Sequence, residues 1–97
     1  MAVVAVSRWK GSFQDLSLAK EVAPILKRAG AVAVRIGNCY AGAHAGQIFG
    51  IITFADWESY GKAMQALAAD ADYQRIYGQL TKTFELQERF ISVVDDL

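Results

Sequence analysis

The stretch AVAVRIGNCYAGAHAGQIFGIITF, residues 31–54, decides the architecture. Its first ten residues alternate, with Val32, Val34 and Ile36 on one side and Ala33, Arg35, Gly37 and Cys39 on the other. Period two with β-branched side chains predicts a strand, because successive Cβ atoms of an extended chain point to opposite faces. The glycine-punctuated segment Ala41-Gly-Ala-His-Ala-Gly46 reverses the chain, and residues 47–54 form a second strand at once. So short a connection joins antiparallel strands.

Outward from this hairpin, the period changes twice on each side. Residues 2–9 are rich in Val and read as a strand closed by Gly11 and Ser12. Over residues 13–29, Leu16, Ala19, Val22 and Leu26 fall at helical spacing, Lys20, Glu21, Lys27 and Arg28 take the other side, and Gly30 supplies a C-cap. Pro24 has no N–H for the carbonyl of Lys20, which predicts a kink or a restart. Beyond the hairpin, Asp56 is a good N-cap for a helix striped by Trp57, Tyr60, Met64 and Leu67, with Glu58 complementing its dipole. Asp70-Ala-Asp72 breaks that run, and Asp72 is expected to cap a short helix carrying Tyr73, Ile76, Tyr77 and Leu80. Residues 83–94 alternate again, Phe84, Leu86, Phe90 and Val94 against Thr83, Glu85, Gln87 and Arg89.

The order βαββα(α)β is an α+β chain of the ferredoxin-like, split βαβ type. It predicts an antiparallel four-stranded sheet with helices on one face, in one domain over residues 1–97. A hydrophobic content of 54% excludes disorder, and the lone Cys39 excludes a disulfide framework. Ten Lys+Arg balance ten Asp+Glu, which argues against an electrostatic grip on DNA, RNA or an anionic membrane. Arg8 and Lys10 follow the apolar first six residues, the wrong order for a secretory signal, and no apolar run approaches the ~20 residues that span a bilayer. With an unpaired cysteine, the expected location is cytoplasmic.

The sheet's second face raises the functional question. If Val4, Val6, Val32, Val34, Ile36, Ile52 and Phe54 meet the helices, the free face carries Ala5, Ser7, Trp9, Arg35, Cys39, Phe49, Ile51 and Thr53. A solvated sheet face reads polar; this one is mostly apolar, and such a patch marks an interaction surface.

Two resemblances meet on these residues. Phe49-Gly-Ile-Ile-Thr-Phe54, followed by Ala55-Asp56, resembles the third-strand signature of RNA-recognition motifs. Gln47 stands at that family's basic position, Ile51 replaces its second stacking aromatic, and residues 3–8 hold no aromatic at all. More of the chain resembles the dimeric α/β-barrel superfamily of antibiotic-biosynthesis monooxygenase-like, NIPSNAP-like and EthD-like proteins. The likeness lies in Phe54-Ala-Asp56-Trp57-Glu-Ser-Tyr60, then Ala63, Leu67, Asp70-Ala-Asp72-Tyr73-Gln74, and the long last strand. It implies a homodimer formed through the free sheet faces. It also implies a small apolar or anionic ligand undergoing cofactor-independent oxidation, or lyase or isomerase chemistry on an aromatic or enolisable group. The contrasting reading is a non-catalytic dimeric binding or stress-associated protein. Haem-degrading relatives carry a histidine on the second helix and an asparagine on the first strand; this chain has neither.

On the sequence, the candidate ligand-binding residues are Arg35, Trp9, Ser7, Phe49 and His44. Arg35, flanked by Ala33 and Gly37, offers a permanent cation as an anchor for a carboxylate, enolate or phenolate, or pairs structurally with Glu85, Glu88 or a partner-chain carboxylate. Trp9 and Phe49 would make apolar walls, unless they are core or dimer interface. Ser7 would donate a hydrogen bond but has no evident base beside it. His44, in the hairpin, would act as a general base or a haem ligand, or sit exposed in its turn. Tyr60, Tyr73 and Tyr77 read as core or groove lining. One histidine and one cysteine give no metal-ligand spacing, and no nucleotide or cofactor motif is present, so neither a metal nor a cofactor is expected.

Overall fold

The computed structural model describes residues 1–97. The elements are β1 (Ala2–Lys10), α1 (Ser17–Ala29), β2 (Ala33–Asn38), β3 (Ile48–Phe54), α2 (Trp57–Ala68), α3 (Ala71–Thr83) and β4 (Glu85–Val94). All pairings are antiparallel, in the spatial order β2-β3-β1-β4. Helices cover one face, giving the ferredoxin-like α+β arrangement. No helix is long and apolar enough to cross a membrane.

The helix ends follow from local chemistry. Asp15 accepts from both the backbone N–H (3.2 Å) and the hydroxyl (2.7 Å) of Ser17. That turn competes with helix, so α1 begins at Ser17 rather than at residue 13. Pro24 neither ends nor restarts α1, which runs unbroken to Ala29 and stops at Gly30, where φ is +130°. Asp56 caps α2 by accepting from Ser59 N–H at 2.7 Å. The cap of α3 is Asp70, not Asp72: its carboxylate accepts from Tyr73 N–H at 2.9 Å. Asp72 falls in the first turn, where its charge complements the helix dipole.

Val3 and Phe54 pair across β1 and β3 and are fully buried, packed beneath Val22, Ile25, Leu26, Ala63, Leu67 and Ile76. This pair sets the faces of the sheet, because paired residues on antiparallel strands share a face. Ala5 pairs with Ile52, Ser7 with Gly50 and Trp9 with Ile48. Ser7 and Trp9 therefore face the helices, while Val4 and Val6 lie on the free face. That reverses the sequence expectation for β1 alone. The physical reason is that β1 is apolar on both faces, so alternation gives its period but not its sign. β2 and β3 fall as expected, with Val34 and Ile36 toward the helices and Arg35, Phe49, Ile51 and Thr53 away from them. Val32, expected beneath the helices, precedes β2 and is exposed.

With β1 corrected, the free face carries an apolar centre flanked by a charged row. One transverse row reads Arg35–Ile51–Val6–Phe90 and the next Ala33–Thr53–Val4–Ser92. A third places Phe49 opposite Arg8 and Arg8 opposite Glu88. Arg8 donates to Gln47 Oε1 at 2.6 Å, and its Nε is 3.7 Å from Glu88 Oε1 with no hydrogen-bond acceptor.

Candidate functional site

Between the helix-covered face of the sheet and helices α1 and α3 lies a cavity of about 310 Å³. Leu16 at the N-cap of α1, Ala19, Ala23 and Leu26 of α1 and Leu80 of α3 roof it; Ala5, Val34 and Ile52 help floor it. Ala19 and Ala23 leave space beneath α1, and Gly50 at the sheet's centre contributes no side chain at all. A Cβ at Gly50 would come within 2.9 Å of Ser7 Oγ and 4.0 Å of Trp9 Nε1. The missing side chain leaves space that Ser7 and Trp9 share.

One end of the cavity is polar. Trp9 Nε1–H donates to Ser7 Oγ at 2.8 Å. Ser7 stands directly opposite Arg89 on β4, so both project to the same face. Arg89 Nη1 donates to Tyr77 Oη at 3.3 Å, and the guanidinium carbon lies 5.9 Å from the centre of the Tyr77 ring. Trp9 meets the same ring edge-on, with centroids 6.2 Å apart at 71°. Tyr73 packs against Tyr77 at 5.7 Å. Burial pushes the Tyr73 phenol above its ordinary range; Tyr77 adds to that and Arg89 opposes it. Tyr73 is therefore a neutral O–H at neutral pH. Arg89 takes part in no ion pair.

The structure divides the five residues singled out on the sequence. Ser7 and Trp9 line the cavity together. Arg35 borders it, but its register opposite Ile51 puts its side chain on the free face with Phe49, and it forms no ion pair. Glu88, expected as one partner of Arg35, lies beside Arg8 instead. His44 is exposed in the hairpin. Tyr73 and Tyr77 line the groove as their helical spacing predicts. Arg89 and Gly50 were not legible as site residues: Arg89 falls among the polar positions of an amphipathic strand, and Gly50 inside a strand signals only a close approach. No group of three or more His, Cys, Asp or Glu is placed to hold a metal ion.

Residues 5–91 match the family described as Domain of unknown function (DUF6854). The chain belongs to that family. None of the curated proteins matches this DUF6854 chain. Its fold is shared with solved structures of the ferredoxin-like, dimeric α/β-barrel superfamily. One is the N63A mutant of SnoaB, a cofactor-independent oxygenase from Streptomyces nogalater, with a TM-score of 0.73 and 14% identity over 99% of this chain and 95% of that one. A NIPSNAP family protein from Agrobacterium tumefaciens str. C58 superposes with a TM-score of 0.67 and 17% identity, over 99% and 95% of the two chains. A dimeric ferredoxin-like protein from an uncultured marine organism gives 0.64 and 12%, over 98% of each. At these identities the similarity is one of fold.

Proposed function

We propose that this protein is a homodimer whose protomers each bind a small, mainly apolar ligand between the sheet and helices α1 and α3. The reading rests on one observation: an apolar cavity of about 310 Å³ with hydroxyls and a guanidinium gathered at one end. Such pockets bury a ligand's apolar body and fix its orientation through a few polar groups. Ser7 and Trp9 carry over from the sequence as ligand contacts, joined by Tyr77 and Arg89. Isothermal titration with bicyclic aromatic compounds tests the cavity. Saturable binding that is lost in Gly50→Val, where the new side chain would occupy the shared space, is the expected result; binding unaltered by that change overturns the reading.

Dimerisation through the free sheet face is supported by what an isolated protomer leaves uncovered. Only ten of 97 residues are buried, and Phe90 and Val94 of β4 stay 45% and 47% exposed beside Val4, Val6 and Ile51. A contiguous apolar face of this kind is characteristic of an interface between subunits. Arg35 and Phe49 belong to this side of the molecule. The dimeric state of a ferredoxin-like neighbour supports the same assembly.

For the chemistry, the fold shared with a cofactor-independent oxygenase favours oxidation, or lyase or isomerase action, on an aromatic or enolisable ligand. Another observation favours binding without catalysis. Asp15, the carboxylate at the cavity, is engaged by Ser17, Tyr73 is held protonated, and His44 is in the hairpin, so a general base is not evident. Oxygen uptake and product analysis with a bound phenolic ligand separate the two: oxygen consumption above the protein-free rate, or conversion of the ligand, supports catalysis, and a ligand recovered unchanged with no uptake supports a binding protein.

A further inference from the structure

We infer that the polar end of the cavity selects a carboxylate, so that the ligand is an aromatic or otherwise planar apolar acid. This inference rests on the cavity being a ligand site and concerns which group the site accepts.

The direction of each hydrogen bond carries it. Ser7 Oγ already accepts from the indole N–H of Trp9, and the hydroxyl makes no further hydrogen bond within the protein. Its own proton is free to be donated. Tyr77 Oη already accepts from Arg89 and is likewise left with a free proton. Tyr73 retains its phenolic proton, and its hydroxyl has no partner in the protein. Arg89 spends one N–H on Tyr77; a guanidinium has five, carries no acceptor and is never deprotonated in proteins. The charged and polar side chains facing this end are Ser7, Tyr73, Tyr77 and Arg89, with Asp15 and Lys20 at the α1 side of the cavity. Asp15 Oδ1 is tied to Ser17, so the acceptors left at the polar end itself are neutral hydroxyl lone pairs, while its donors include a full cation.

A group that only accepts, carries negative charge and offers two oxygens in a plane matches that array. Arginine pairs with carboxylates through parallel N–H···O bonds that an ammonium cannot reproduce. Ser7 lies directly opposite Arg89 in the sheet, so a carboxylate on the guanidinium fork comes within reach of the serine hydroxyl. Trp9 and Tyr77, set edge-on at 6.2 Å, offer flat apolar surface beside it for the body of the acid. A primary amide has the same shape but turns an NH₂ toward these donors.

The test compares 2-naphthoate, 2-naphthamide and 2-naphthol by calorimetric titration of the full chain. The expected result is naphthoate binding at least about tenfold tighter than naphthamide, in keeping with one charge-assisted contact. Arg89→Met should abolish that preference, Ser7→Ala and Tyr77→Phe should each reduce it, and Arg75→Met, on the exposed side of α3, should keep it. Equal binding of naphthoate and naphthamide, or tighter binding of naphthol, overturns the carboxylate inference while leaving the cavity a ligand site. A preference that survives in Arg89→Met overturns it as well. Failure of all three compounds to bind overturns both the inference and the cavity reading beneath it.

Discussion

A Cβ on Gly50 would lie 2.9 Å from Ser7 Oγ, so the hydroxyl of one residue occupies room left by the missing side chain of the other. Gly50→Ala displaces that hydroxyl and releases the indole N–H of Trp9, at a cost of about 1 kcal/mol for the lost hydrogen bond. Removing a glycine from a strand returns about 0.5–1 kcal/mol of backbone entropy. The two effects nearly cancel in stability, and the change is expected in the indole instead. In a Trp57→Phe background, where Trp9 is the only tryptophan, its emission should shift. An unchanged spectrum would mean that the pair survives and that Gly50 is not what admits it.

Val6→Asp tests the assembly. Val6 sits between Ile51 and Phe90 on the free face, with Arg35 two strands away in its row and Arg8, two residues along β1, already engaged by Gln47 and Glu88. Burying its carboxylate against a second sheet costs several kcal/mol. Sedimentation should show monomers, with far-UV circular dichroism intact because this face lies outside the helix-covered core. Ile51→Asp is the weaker probe, since Arg35 stands directly opposite to receive the charge. A dimer of unaltered affinity in Val6→Asp would refute the interface.

Gly11→Ala probes the turn after β1. A Cβ there would overlap the ring of Phe84, which also lines the cavity. Overpacking of this kind costs about 1–3 kcal/mol. Thermal unfolding should register the loss, and the double variant Gly11→Ala/Phe84→Leu should recover part of it. No recovery would place the strain in the backbone rather than against the ring.

Asp70 gives the fold a pH-dependent element. Its carboxyl lies below the ordinary carboxylate range because it accepts from Tyr73 N–H, with Arg28 at 3.1 Å adding to the effect and partial desolvation opposing it. A depressed folded-state pKa means stability that is complete above the unfolded value and lost as pH falls through the folded one. Asp70→Asn keeps a capping acceptor without the charge. Wild type should therefore melt above Asp70→Asn at pH 7, and the gap should close between pH 4 and the depressed pKa. A gap constant down to pH 2 would refute the assignment.

Much of this molecule can be read from its sequence, and the failures share a cause. Alternation in residues 31–40, the glycine-rich reversal and Asp56 locate three elements because each is a local signal of backbone geometry. The sign of β1 is not local. It depends on Val3 meeting Phe54 some fifty residues later, and a strand apolar on both sides does not state which side that is. The site inherits the error: parity assigned Ser7 and Trp9 to the company of Arg35 and Phe49, whereas the register puts them on the other face. Arg89 becomes visible only once β4 pairs with β1 and brings it opposite Ser7.

The two-faced character of β1 has a consequence for how the protein tolerates change. Odd-numbered residues from Val3 to Trp9 look toward the helices and the cavity, and even-numbered ones toward the free side. A substitution scan along this one strand should give two interleaved phenotypes, one in ligand affinity and one in self-association, switching at every residue. If the proposed ligand site and interface hold, two selective pressures can act on neighbouring codons of β1 with little interference.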